Sequence, residues 1–328
     1  YRLKTNADLY EGVRFAFLYV SSSAPVSFTI DAARAVVQTK PVNYTGHFSA
    51  PNDDLLTQVW WTAAWTVRAA FQKDFFGSVL IDRGDRESWT GDAHPIQAAA
   101  LVALHNLDSI KQNLASSIHG AGGGFPTYQL YWVLSVLDYY SYVGDGAVLA
   151  NYSKNVAGYV RPLIADVLSA NWSPRNQQPH LGFVGWDDRT GGGFANSSCV
   201  ECERDFSMIL LRVVNESARA YGDPGVGHNA SLALELKTAA TALDAKLRLP
   251  SADGRPWHED LLIASAGDAV NAGLATAAEM DLIFHSRFAD PITVCQLSPF
   301  NNYWTLQALG HMGKHDEALW LLRNCWGG

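Results

Sequence analysis

Long apolar runs, basic blocks and cysteine are scarce in this sequence, and each scarcity removes a class of protein. The most apolar stretch, Phe125 to Val143, is interrupted by Pro126, Gln129 and Asp138, so it reads as a buried helix and not as a bilayer span. Lys and Arg number 24 against 32 Asp and Glu, a net charge of −8 without a basic block, which excludes the footprint of a nucleic-acid binder. The sequence starts at Tyr1 with neither Met nor a charged-then-apolar leader, so a mature product or a fragment is expected. Of the 4 cysteines, Cys199 and Cys202 form a CxxC, while Cys295 and Cys325 lie far apart. A zinc site would want a second close pair or a His pair, and a thioredoxin-type motif would want a βαβ context. Disulfides or free thiols are therefore expected, with three pairings open, and neither metal nor cofactor is expected.

Aromatic residues and glycosylation sequons are plentiful. The 11 Trp and 13 Tyr suit core packing and also stacking against sugar rings. Six Asn-x-Ser/Thr sequons start at Asn43, Asn151, Asn171, Asn196, Asn215 and Asn229; Pro174 after Ser173 weakens the one at Asn171. N-linked glycans are expected at Asn43, Asn151, Asn196, Asn215 and Asn229, and with them a secreted or extracellular protein.

The chain changes character near residue 46. Gly12 to Ser22 and Val26 to Val37 carry β-branched and aromatic residues in partial alternation, which predicts two or three strands. So few strands cannot form a domain alone, and residues 1–45 are expected to be the end of a β-sandwich and its linker. From Asn52 onward the period is helical: Leu55, Val59, Trp60, Ala63, Val67, Ala70 and Phe71 recur at three- and four-residue spacing, with core packing favoured for Trp60, Trp61 and Trp65. Similar stripes run over 95–118, 127–142, 148–170, 203–221, 230–247, 268–284, 300–310 and 316–326. Gly-rich connections at 119–126 and 187–198 separate some of them. Helical hairpins joined by such loops describe a mainly α protein, a bundle or an α/α barrel with its site on the loops.

The densest polar cluster follows the first helical stripe. Asp82, Arg83, Asp85, Arg86, Glu87 and Asp92 crowd around Trp89 between apolar runs, which reads as an organised site more than as a solvated loop. Glycoside cleavage needs a carboxylic acid to protonate the leaving oxygen and a carboxylate on the opposite face, with neighbouring charges setting their pKa values apart. His94 and His180 are given no catalytic part.

On these residues the sequence resembles the α-L-rhamnosidases of glycoside hydrolase family 78. GHFSAPNDDLLTQVWWTAAWTVR (46–68) and LIDRGDRESWTGDAHP (80–95) look like the helix and acidic loop that open that family's catalytic barrel. TYQLYWVLSVLDYYSYVGD (127–145) and NNYWTLQALGHMGKHDEALWLLRNCWGG (301–328) are similar to later segments of it. The resemblance implies an (α/α)6 barrel over 46–328 preceded by terminal strands of a β-sandwich. It also implies exo-acting, inverting release of terminal α-L-rhamnose from glycosides or polysaccharides.

Within the motif the resemblance gives Asp85 the acid position, with Asp92 and Asp82 as its other acidic members. Arg86, Trp89, Trp186, Asp187 and Trp132 become sugar contacts, although core packing is equally expected of Trp132 and of Tyr131. Asp for Glu at position 85 shortens the donor by one methylene, and Glu87 is a substitute. Asp82 sits nearer Trp89 than the family pattern has it. The family's general base is a Glu shortly after a Trp-Gly like Trp326-Gly327, so the barrel is expected to be incomplete at its C-terminal end. Glu201, Glu203, Asp187 and Asp188 are the internal alternatives. The competing reading is a catalytically degenerate, glycosylated carbohydrate-binding or structural protein of the same fold.

Overall fold

The computed structural model describes residues 17, 19–32, 34, 40–71, 75–76, 89–104, 106–118, 125–169, 201–250, 254–259 and 261–327, without the side chains of 201–203. Its helices are α1 (Asp54–Ala69), α2 (Thr90–Ala103), α3 (Leu107–Ser117), α4 (Pro126–Val143), α5 (Gly146–Leu168) and α6 (Glu201–Gly222). After them come α7 (Ala230–Leu247), α8 (Ile263–Asn271), α9 (Ala277–Ile283), a π-helical turn (Phe284–Phe288), α10 (Pro291–Cys295), α11 (Pro299–His311) and α12 (His315–Asn324). Among the described residues, α2 packs on α4, α4 on α6, α6 on α8 and α8 on α11, and α11 returns to α2. Around this ring, α1 lies against α2 and α12, α3 against α2 and α4, α5 against α4 and α6, and α7 against α5 and α6. An inner ring of helices each preceded by an outer one is an α/α barrel-type arrangement, as the helical hairpins predicted.

Local chemistry explains the helix starts. Asp53 accepts the Leu56 N–H at 3.0 Å, Asp145 the Val148 N–H at 3.2 Å and Asn229 the Leu232 N–H at 3.1 Å, each satisfying an orphan donor of a first turn. Asp53 also takes Arg323 Nε, which ties α12 to the start of α1. Two expected helices are broken. The stripe over 95–118 divides into α2 and α3 at Leu104 to Asn106, and α2 begins earlier, at Thr90, with Pro95 inside it. The stripe over 268–284 is interrupted at Gly273, whose φ of 72° is left-handed.

The expected strands are a second difference. Residues 17 and 19–32 carry no strand, and among the described residues the only β pairing is an isolated bridge between Phe71 and Phe76. Residues 19–32 are exposed throughout, Val26, Phe28 and Ile30 included, and 12–16, 18, 33 and 35–37 lie outside the described residues. Trp61 and Trp65 also depart from the expected core packing, at 39% and 57% exposed, with Trp61 braced edge-on by Tyr44 and His47 and Trp65 covered by Arg68. Trp60 alone of the three packs against the core. On the sides of the barrel, the Cys295 and Cys325 sulfurs stand at disulfide distance, with Cα atoms 5.4 Å apart, joining α10 to α12. No helix of the described residues is long and apolar enough to cross a membrane.

A pH-dependent brace holds α9. Glu279 accepts the Thr276 N–H at 2.8 Å while Thr276 Oγ1 accepts the Glu279 N–H at 3.3 Å, a capping box. Glu279 also accepts from Trp257 Nε1 at 2.9 Å and Arg248 Nη1 at 3.2 Å. Partial burial raises its pKa, but these hydrogen bonds outweigh burial and hold the carboxyl down at about 2. A carboxylate with a folded-state pKa below its unfolded value adds stability above the unfolded pKa that is lost as pH falls through the folded one. The melting-temperature gap between the wild type and Glu279→Gln is expected to shrink as pH falls from above 4.5 to about 2. A gap that stays constant over that range would remove the brace from the account.

Candidate functional site

The inner helices α2, α4 and α11 begin at one end of the barrel. Trp89, just before α2, meets Tyr128 in the first turn of α4 edge-on at 6.4 Å, and Tyr131 one turn further meets Phe300 in the first turn of α11 at 6.0 Å. α6 runs parallel to α4, since Tyr140 and Asp223 pair at 3.4 Å near their C-terminal ends. Its early residues Asp205 and Ser207 are fully buried at the same end. Trp89 is half-buried against the core, and Asp92 is half-buried in the first turn of α2, its N–H bonded to Trp89 O at 3.1 Å. That turn is where unpaired N–H groups and the helix dipole stabilise an anion, so a carboxylate is well placed there.

The approach of α2 to α4 at this end depends on the absence of a side chain. A Cβ on Gly91 would stand 2.6 Å from Tyr128 Cε1, so the Trp89–Gly91–Asp92 turn can sit on the Tyr128 ring only with glycine at 91.

Below the first turns lies an aromatic floor that the sequence reading missed. His94 packs on Tyr131, Trp304 and Tyr303, and Trp304 on Tyr131 and Tyr303, at 4.9–6.1 Å between ring centroids. The guanidinium of Arg212 on α6 lies 5.5 Å over Trp304 and bonds Glu216 at 2.8 Å. Burial pushes the Tyr303 hydroxyl up beyond its ordinary range, helped by Asp138 and opposed by Arg212. The signal available in the sequence was Phe300, Tyr303 and Trp304 beside Tyr128 and Tyr131, aromatics one turn apart on two inner helices.

Of the residues singled out from the sequence, the structure brings Trp89 and Asp92 to this end. Asp82, Asp85, Arg86, Glu87, Trp186, Asp187 and Asp188 lie outside the described residues, as do the side chains of Glu201 and Glu203. In the sequence Asp85 precedes Trp89 by four residues, and Trp186 and Asp187 precede α6. Trp132 is a correction. It is fully buried, its Nε1 donates to Leu114 O at 2.9 Å, and Tyr152 and Tyr159 meet it edge-on at 5.1 and 5.6 Å. Its ring is thus turned toward the outer helices α3 and α5, because Tyr131 and not Trp132 takes the inward side of that turn of α4. Among the described residues no group of three or more His, Cys, Asp and Glu could hold a metal ion.

Neither a family model nor a curated protein matches the sequence. Solved structures do match the fold. A rhamnosidase from Klebsiella oxytoca with rhamnose bound aligns over 88% of this chain and 57% of its own, at 16% identity and a TM-score of 0.67. A GH78 family rhamnosidase of Bacillus sp. GL1 aligns over 88% of this chain and 31% of its own, at 15% identity and a TM-score of 0.63. An α-L-rhamnosidase from Dictyoglumus thermophilum aligns over 86% and 33%, at 15% identity and a TM-score of 0.63. The chain spans between about a third and somewhat over half of the length of these proteins, and over that stretch it has the fold that rhamnosidase structures share.

Proposed function

We propose that the chain is the barrel part of an exo-acting, inverting glycoside hydrolase that releases terminal α-L-rhamnose. The observation that carries this reading is the shared rhamnosidase fold with Trp89 and Asp92 at the mouth of its inner helices, directly after the acidic loop. In the proposed mechanism Asp85 protonates the glycosidic oxygen, while Asp92 and Asp82 hold sugar hydroxyls and keep Asp85 protonated through their charge. Arg86, Trp89, Trp186 and Asp187 complete the pocket, the indoles stacking on the apolar face of the deoxyhexose. Trp132 has no part in it.

The general base is proposed to stand on a sixth inner helix beyond Gly328. Supporting this, a groove of about 490 Å³ runs between α1, α11 and α12, lined by Leu55, Val59, Ala63, Tyr303, Leu306 and Leu322 among others. It adjoins the place where α11 and α2 make only a slight contact, and a helix seated there would close the ring between them. The carboxyls of Asp85 and that base are expected roughly 6.5–9.5 Å apart, the space an attacking water needs.

The same proposal includes secretion, N-glycosylation and a Cys295–Cys325 disulfide. Asn43 and Asn151 are exposed and open to modification, and Asn229 is half-buried at the cap of α7. Asn215 is the least accessible of the expected acceptors: it lies on the inner helix α6, half-buried, and its Nδ2, the atom a glycan would occupy, donates to Ala272 O at 3.2 Å. Asn196 lies outside the described residues.

The deciding assay is release of rhamnose from an aryl α-L-rhamnoside by the full-length protein, beside other aryl glycosides. Rates equal to buffer for all of them would leave the degenerate, carbohydrate-binding reading, and cleavage of another sugar alone would change only the substrate. In an active enzyme Gly91→Ala is expected to lower kcat/KM by up to about 10²-fold, since ångström-scale displacement of the Trp89–Asp92 turn is enough for such a loss. An unchanged kcat/KM would mean that this turn does not set the pocket.

A further inference from the structure

Three inner helices converge on a buried histidine for which the proposed mechanism has no use. His94 stands on α2 one turn past Gly91, is 1% exposed, and places its Nε2 3.0 Å from Asp138 Oδ2 of α4. Its ring lies nearly parallel to Tyr131 of α4, at 7° and 6.1 Å, and to Trp304 of α11, at 17° and 5.4 Å. Tyr303 of α11 closes the box edge-on at 5.8 Å. A carboxylate only accepts, so the proton on Nε2 points at Asp138 and the ring donates that bond. Nδ1 is buried and has no hydrogen-bond partner among the described residues.

Space-filling does not explain this choice of residue. Leucine or phenylalanine would occupy the aromatic box without an orphaned ring nitrogen and without a carboxylate to hold. What the imidazole adds is orientation: the bond to Asp138 fixes its rotation, and the fixed ring sets how closely α2 can approach both Tyr131 and Trp304. Two residues before it on the same helix stands Asp92, and five before it Trp89.

We propose that His94, oriented by Asp138, is a positioning residue that sets the height of the Trp89–Asp92 turn over the Tyr131–Trp304 floor. The proposal rests on the reading of this end of the barrel as a rhamnose pocket. Asp138, half-buried at the lower edge of the box, holds the histidine, and Arg212 on Trp304 holds the floor from the side of α6.

The test uses the full-length protein with His94→Leu, which fills the box but loses the bond, and His94→Gln, which keeps an N–H donor for Asp138. Rhamnose affinity by calorimetry, kcat and KM on an aryl α-L-rhamnoside, and the unfolding midpoint are measured together. His94→Leu is expected to weaken rhamnose binding and to lower kcat by about 10-fold each, within the loss that small misplacement produces, and His94→Gln to restore most of both. A residue that only holds the fold would shift the midpoint and leave affinity and kcat of the folded protein unchanged; that result, or a His94→Gln as impaired as His94→Leu, overturns the proposal. Should His94→Leu not fold, Asp138→Ala removes the same bond from its more exposed side, with the same loss expected. A wild type that binds rhamnose without cleaving it removes the hydrolase reading while affinity still decides the role of His94. A wild type that cleaves, with His94→Leu equal to it, removes the positioning role alone. A wild type that neither binds nor cleaves removes both.

Discussion

Asp85→Asn is expected to lower kcat on an aryl α-L-rhamnoside by at least about 10²-fold, the lower end of what a general acid contributes, while Glu87→Gln leaves most of the turnover. Asp85 stands four residues before Trp89, the ring that the structure anchors on Tyr128 at the mouth of the barrel. The spacing to Trp89 is the ground on which Asp85, and not Glu87, is proposed as the acid. The acid must keep its proton near working pH, and a neighbouring carboxylate does this by disfavouring a second negative charge. Asp92, in the first turn of α2 where helix N–H groups stabilise an anion, is proposed as that carboxylate. Asparagine at 85 keeps the shape and removes the proton. The measurement is kcat for both variants on a substrate with a poor leaving group, where protonation limits the rate. Loss of turnover in Glu87→Gln with an intact Asp85→Asn would move the acid role to Glu87.

The parts of this molecule that were legible in its sequence are those in which one helical face differs from the other. α1 and α12 have strong apolar stripes and polar backs, and α5 and α7 begin at Asp145 and Asn229, residues whose side chains cap orphan N–H groups. The inner helices α2, α4 and α11 carry much less directional information. α4 is buried on nearly every side, so period alone cannot say that Tyr131 faces the axis and Trp132 the outer layer. The same ambiguity let a sugar contact and a core residue look alike. Trp61 and Trp65 fail for the opposite reason: they extend the apolar stripe of α1, but the stripe is wider than the surface that the described residues offer it. The strands expected over 12–37 rested on alternation, which states a preference for a sheet and not the presence of a neighbouring strand. Asp92 was legible because acidic residues near Trp-x-Gly mark a helix start and a site at once. His94 was not, since a lone histidine carries no sign of the aromatic box that encloses it.

Trp132→Ala is expected to cost about 3–5 kcal/mol of stability, the range for emptying a large buried aromatic site. The indole is fully enclosed between α4, α3 and α5, with Tyr152 and Tyr159 edge-on at 5.1 and 5.6 Å. Truncation leaves both rings without a facing surface, because neither α3 nor α5 can move inward without breaking its own contacts with the ring of inner helices. It also strands Leu114 O, which accepts the indole N–H at 2.9 Å inside the core. Trp132→Phe separates the two losses: the ring face is kept, the hydrogen bond is not, and a smaller destabilisation is expected. Trp65→Ala, at a ring that is 57% exposed, supplies the contrast and should stay within about 0.5 kcal/mol of the wild type. Urea unfolding of the full-length proteins gives all three values, with kcat/KM measured on the folded fraction. If Trp132→Ala left the unfolding midpoint in place and raised KM for the rhamnoside instead, the side chain would face the sugar, and the inward side of α4 would belong to Trp132 after all.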